Sequence, residues 1–240
     1  MHPEDWPILQ RFTKHIDADP KDFRQFLKSD RFGSRDHKLH LSLLPLPYSG
    51  NLETAEIFIL LLNPGFSYVD YYEEYECDAF RERRIKNLAQ DFEGVEFPFS
   101  GLDPEFCWGG GFAWWESKLY DVIGRIAQKR FSGRYLHALQ YLSQRMAHVE
   151  LIPYHSSGFS SHALIQKLPS AQMARAFVRD VLIPDARRGD RIVIVTRRAK
   201  DWGFPKGRRG VVIYKGGHTR GASLSPNSSG GRAILRRLGC

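Results

Sequence analysis

The chain has 240 residues, of which 42% are hydrophobic and 26% charged. That is enough apolar content for one substantial core and too much for a disordered or low-complexity protein. Net charge is +8, and it is unevenly placed: residues 187–240 hold fourteen Lys and Arg against Asp190 and Asp201, a sum of +12, which leaves −4 for residues 1–186. If folding gathers that basic quarter on one face, the partner is a polyanion, DNA or RNA. Cys77, Cys107 and Cys240 are too few for an all-cysteine zinc centre or a four-thiolate cluster, so reduced thiols are expected. Residues 1–27 lack the apolar core of an export signal, and no run approaches the roughly 18 apolar residues of a membrane span. A cytoplasmic or nucleoid-associated protein without a membrane partner is the expectation.

Residues 1–50 read as an extension packed on a main fold over 51–240, with a short helix at 22–27 and a break at Pro45, Pro47 and Ser49-Gly50-Asn51. Residues 56–62 form an apolar run without a polar face, the pattern of a strand buried on both sides, and stop at Asn63-Pro64-Gly65. Residues 68–82, rich in Tyr and acid, start a helix through Phe80, Ile85 and Leu88, with acids and bases on its outer faces. Gly109-Gly110-Gly111 leads into a helix whose core stripe is Leu119, Val122, Ile123 and Ile126. Strands at 149–153, 191–196 and 210–214 follow, with a helix at 171–183 before the second of these and a basic helix at 232–238. Strands separated by helices predict an α/β fold, with ligands at the loops beyond the strand carboxyl ends: 63–72, 153–162, 197–206 and 215–231.

Two of those loops carry chemistry. In the first, Pro64 fixes its own φ, Gly65 permits a tight turn, and the Asn63 amide offers both a donor and an acceptor. In the last, Leu224-Ser225-Pro226-Asn227-Ser228-Ser229-Gly230-Gly231-Arg232 combines small turn residues with a basic helix start, suited to phosphate contact. His155, within Tyr154-His155-Ser156, and His218, within the basic quarter, are the ionisable candidates.

Asn63-Pro64-Gly65 and Ser225-Pro226-Asn227-Ser228-Ser229-Gly230 resemble the two signature loops of the uracil-DNA glycosylase superfamily, especially its mismatch-specific and single-strand-selective branches. Gly111-Phe112-Ala113-Trp114-Trp115 is similar to the aromatic helix entry between those branches' first two strands. The resemblance implies a three-layer α/β/α sandwich with a central four-stranded, mostly parallel sheet, and hydrolysis of the N-glycosidic bond of an extrahelical base without metal or cofactor. Carried onto this chain, Asn63 positions water; beside it, His218 or His155 is the residue expected to stabilise negative charge on the departing base. Pro64 and Gly65 shape the base pocket, with Phe66, Tyr68, Phe112, Trp114 and Tyr154 around it. Ser225 to Gly230, with Lys215, Arg220 and Arg232, holds the DNA and fills the gap left by the base. The last loop departs from the pattern: no histidine precedes Pro226, and Ser228, Ser229 and Gly230 replace the apolar wedge, so Leu224 or Arg232 would have to substitute.

Two alternatives remain at this level. One is a non-catalytic nucleic-acid-binding protein of the same fold, using Lys206, Arg208, Arg209, Lys215, Arg220, Arg232, Arg236 and Arg237. The other is a metal-dependent nuclease recruiting Asp70, Glu73, Glu74 and Glu76. Gly109-Gly110-Gly111 is not a dinucleotide-binding GxGxxG turn.

Overall fold

The computed structural model describes residues 1–12, 20–33, 37–159, 162–204, 209–214 and 223–240. Of the residues singled out above, Lys206, Arg208, Lys215, His218 and Arg220 lie outside the described set.

Helices α1 (Trp6–Phe12) and α2 (Phe23–Lys28) precede strand β1 (Tyr48–Ser49) and strand β2 (Ile57–Leu61). Next come α3 (Val69–Tyr75), α4 (Asp78–Ala89), α5 (Gly110–Phe131) and α6 (Tyr135–Ser143), which lead to β3 (Met146–Glu150). Helices α7 (His162–Lys167), α8 (Pro169–Phe177) and α9 (Ile183–Arg188) precede β4 (Ile192–Val195), and α10 (Ser229–Arg237) follows β5 (Val211–Ile213). Between α8 and α9 the chain makes a π turn at Val178–Leu182, next to Pro184, whose missing N–H breaks the regular ladder.

The fold is α/β with a five-stranded mixed sheet, order β1-β3-β2-β4-β5. The four expected strands run parallel to one another, and the correction is the fifth: β1 pairs antiparallel with β3 through Tyr48 and Ser49. Two residues leave no readable period, so a strand this short is specified by its partner and not by its own sequence. The second parallel strand sits at 146–150, three residues ahead of its expected place, because His148 interrupts the apolar run that marks a strand.

Alternate residues of the strands face opposite ways. Phe58, Leu60, Val149, Val193 and Val195 pack with Leu164, Ala171, Val178 and Leu182 on one side. Ile57, Ile59, Met146 and Ile194 pack with Trp115, Leu119, Val122, Ile123, Ile234 and Leu235 on the other. The connection from β2 to β3 thus packs on one face through α5, and the connection from β3 to β4 packs on the opposite face. Adjacent parallel strands with connections on opposite faces leave a crevice at their carboxyl ends. Here that crevice opens beyond β2 and β3.

The start of α10 depends on two glycines. A Cβ on Gly231 would lie 1.9 Å from the Ser225 carbonyl oxygen, and one on Gly230 would lie 2.6 Å from the Tyr214 hydroxyl. Gly231→Ala is expected to destabilise the protein by about 3 kcal/mol in chemical denaturation, since backbone must move to admit the methyl. Gly124→Ala, inside α5 with nothing within 4 Å, is expected to stabilise it by about 0.5–1 kcal/mol.

No helix among the described residues is long and apolar enough to cross a membrane. Three of the described arginines of the basic quarter are spent on ion pairs within the fold. Arg237 pairs with Glu56 at 2.8 Å, Arg191 with Asp185 at 3.2 Å and Arg188 with Asp190 at 2.8 Å. Glu56 precedes β2, Asp185 to Arg191 precede β4, and Arg237 ends α10, so these pairs lie at the amino edge of the sheet, away from the crevice.

Candidate active site

The crevice holds a cavity of about 440 Å3, lined by Asn63, Pro64, Gly65 and Phe66, by Phe112, Trp114 and Trp115 of α5, by Asp70, Glu73 and Arg84, and by His148, Glu150 and His155. Its volume is that of a small-molecule site.

Asn63 is fixed by the way the loops after β2 and β3 run side by side. The Ile152 N–H donates to the Leu62 carbonyl at 2.9 Å, and the Ser156 N–H donates to the Pro64 carbonyl at 3.3 Å. Asn63 Nδ2 donates to the Pro64 carbonyl at 2.8 Å and to Ser156 Oγ at 3.0 Å. Because a carbonyl can only accept, the amide orientation is settled, and Oδ1 remains an acceptor with no partner among the described residues.

Both ring nitrogens of His155 are hydrogen-bonded. Its Nδ1 donates to the Gly65 carbonyl at 3.0 Å, and its Nε2 accepts from Arg84 at 3.0 Å. A carbonyl cannot donate and a guanidinium cannot accept, so the tautomer follows. The ring, which lines the cavity expected to hold it, also braces the Gly65 turn.

Arg84 is itself buried, and burial lowers its pKa while Glu74, Asp70 and Glu73 pull it up. Glu74 accepts the Leu44 N–H through both carboxylate oxygens, at 2.8 and 2.7 Å. Burial raises its pKa too. Glu73 has its carboxyl pushed up to about 7, first by burial and then by Asp70, against Arg84 and the Gly110 N–H. Its Oε1 has no hydrogen-bond partner. The acids of α3 and the base of α4 were expected on outer faces, but Glu73, Glu74 and Arg84 are buried. The charges compensate one another, so the helices can turn them inward. Among the described residues no three His, Cys, Asp or Glu are grouped to hold a metal ion.

The inner end of the cavity was missed in the sequence. His148 and Glu150 lie two apart on β3, on the face that Trp115 covers, and both are buried. Burial lowers the His148 pKa to about 3, with Arg84 adding to the effect, and raises that of Glu150 well above the ordinary carboxyl value. Both nitrogens of His148 and Oε2 of Glu150 lack hydrogen-bond partners. Two ionisable residues at i and i+2 of an otherwise apolar strand were the available signal.

Two residues expected in the pocket lie elsewhere. Tyr154 is 1% exposed in the core, and its hydroxyl donates to Asp5 at 2.6 Å. Tyr68 is half-exposed and packs on Phe26, Phe32 and Phe66 without lining the cavity. Phe66 stacks on the buried His40 ring at 3.6 Å between centroids, which places its ring at the wall.

The described part of the last loop does not reach the cavity. Ser225, Pro226 and Asn227 line a separate groove of about 1000 Å3 with Tyr120, Arg125 and Lys129 of α5. Ser228 caps α10, its Oγ accepting from the Gly231 N–H at 2.9 Å. Leu224, the proposed wedge, is 1% exposed in the core, and Gly230 is buried beneath Tyr214. Asn227, Ser229 and Arg232 are exposed.

No family model matches the chain, and no curated protein or solved structure matches it at a significant level.

Proposed function

We propose that the protein is a DNA glycosylase-like hydrolase that takes one extruded, damaged base into the cavity between β2 and β3 and cleaves its N-glycosidic bond. The observation that carries this is a single concave site at the strand ends. It joins an oriented Asn63 with an open Oδ1, a carboxyl group poised near neutrality at Glu73, and flat walls from Phe66, Phe112 and Trp115. Aromatic walls suit a planar ring, and the few kcal/mol lost on unstacking a base are offset by contacts in such a slot. The parallel strands of the mixed sheet, clothed by helices on both faces, support the finer α/β/α sandwich reading.

In this reading Asn63 Oδ1 orients a water and Glu73 accepts its proton. The water oxygen bonds to the sugar C1′ as the glycosidic bond breaks, and the bonding pair leaves with the base, which takes up a proton on release. Products are an abasic sugar and the free base. The strand lies across the carboxyl edge, where Arg197 is exposed, towards the groove of Ser225, Asn227, Ser229 and Arg232.

The test is release of free base from oligonucleotides carrying uracil, mismatched uracil, hypoxanthine or an alkylated base, assayed in chelator. Base release with an alkali-labile intact strand supports the reading. Binding that falls with salt and gives no product on any substrate would favour the non-catalytic alternative, and metal-dependent strand cutting the nuclease. The rate is expected to rise with pH through about 7, as Glu73 loses its proton, and to level off above. Glu73→Gln is expected to remove that limb and lower the plateau about 100-fold.

A further inference from the structure

Phe32, Tyr68, Tyr72 and Trp108 are between 39% and 49% exposed, and they come from three parts of the chain: the turn after α2, the start of α3 and the loop before α5. Ring contacts join them. Tyr72 packs on Phe23 at 5.5 Å and on Trp108 at 5.8 Å between centroids, and Tyr68 packs on Phe32 at 5.4 Å. Beneath them the buried Phe26 stacks on Tyr71 at 4.2 Å and reaches both Phe32 and Tyr68. The rings are therefore one supported surface. Scattered exposed rings need no explanation, but a joined group marks a place where something docks.

This surface lies outside the cavity and meets its rim at two points. Tyr68 packs on Phe66, a cavity wall, at 5.9 Å, and Trp108 directly precedes Gly109, which lines the cavity. Its other border is basic. Lys21, Arg24 and Lys28 are exposed, the last two one turn apart on α2. Asp22 is spent on capping that helix, its carboxylate accepting the Gln25 N–H at 2.7 Å. Residues 20–33 hold four Lys and Arg against Asp22 and Asp30, a sum of +2.

We propose that this surface binds single-stranded DNA, stacking unpaired bases that flank the one in the cavity on Phe32, Tyr68, Tyr72 and Trp108, with Arg24 and Lys28 on the phosphates. Exposed rings beside cations suit such a strand, because every base has a flat face to stack and a backbone charge to neutralise. In a duplex those faces are covered by the neighbouring pairs. Half of the surface belongs to the extension before residue 51, so it is an addition to the main fold and not a part of the cavity. The choice of DNA rests on the base-binding reading above; the surface itself does not depend on hydrolysis.

The experiment measures binding of the full chain to a fluorescent, undamaged oligothymidylate of about twelve nucleotides by anisotropy, beside a duplex of the same length and an oligouridylate. The wild-type protein is expected to bind the single DNA strand about tenfold or more tightly than the duplex. Tyr72→Ala and Phe32→Ala are each expected to weaken that binding about fivefold or more. Tyr72→Phe, which keeps the ring, and Met173→Ala, an exposed apolar residue of α8, should stay within about twofold. Arg24→Gln combined with Lys28→Gln should flatten the salt dependence, and this surface variant keeps the test valid if an alanine variant fails to fold. Equal binding of the duplex, tighter binding of the ribonucleotide strand, no binding, or alanine variants within about twofold of wild type would overturn the proposal. Loss of a dimer in Tyr72→Ala at unchanged oligonucleotide affinity would overturn it too, and would give the surface to a second copy of the chain. Strand binding through these rings without base release from any substrate would overturn hydrolysis and leave this inference standing, whereas base release that the ring variants do not alter, with oligothymidylate affinity also unaltered, would do the reverse.

Discussion

Asn63→Ala is expected to slow base release at least about 100-fold under single-turnover conditions while moving oligonucleotide affinity less than about threefold. The reason is the geometry of its amide. Nδ2 is committed to the Pro64 carbonyl and Ser156 Oγ, so the oxygen is held in one orientation without reorganisation. Alanine removes the oxygen that would hold the water, and the remaining walls still accept the ring. The stability loss is about 1 kcal/mol, the worth of the two hydrogen bonds at a half-buried position. Ser156→Ala separates the parts: it leaves Oδ1 in place, removes one of the two acceptors of Nδ2, and is expected to lower the rate by about tenfold through poorer positioning of Asn63. A rate for Asn63→Ala within about threefold of wild type would remove Asn63 from the chemistry.

Arg84→Met is expected to cost about 3–5 kcal/mol of folding stability, the largest single-residue effect in the described structure. Its guanidinium is buried, donates to His155 and offsets the charge of Glu74, Asp70 and Glu73. Without it the carboxylates face one another with less compensation, and His155 Nε2 loses its donor. The deficit carries a pH signature. Glu73 already binds its proton more tightly folded than unfolded, with a folded value of about 7 against 4.5. Stability from such a group is fully present below the unfolded value and is lost as pH rises through the folded one. Removing Arg84 raises the Glu73 and Glu74 carboxyls further, so the loss in Arg84→Met is expected to be larger at pH 8 than at pH 5. Urea denaturation at the two pH values measures it; an equal deficit at both would mean that Arg84 contributes packing and not charge compensation.

Four strands were legible because runs such as 56–62 and 191–196 are apolar on both faces, which only a strand covered on both sides requires. Asn63 was legible for a related reason: a polar residue with Pro and Gly directly after such a run falls at the carboxyl edge. What could not be read was spatial order. The last strand lies two strands from β2, roughly 10 Å along the sheet, so the loop that follows it in sequence lines a different groove. Inward charges were also hidden. Glu73, Glu74 and Arg84 look like an ordinary solvated helix pair until α3 and α4 pack over the cavity and pair them. His148 and Glu150 were readable as an anomaly within a strand but not as the inner end of a site, since that depends on Trp115, more than thirty residues away, covering the same face.

The most direct measurement is where the extruded base goes. Irradiation of the protein with an oligonucleotide carrying 5-iodouracil at a mismatch, followed by peptide mapping, is expected to place the adduct on Phe66, Phe112 or Trp115, and Asn63→Ala should leave that position unchanged. Adducts confined to Tyr120 or Tyr135 of the outer groove, or none on any cavity residue, would contradict a base-binding site between β2 and β3.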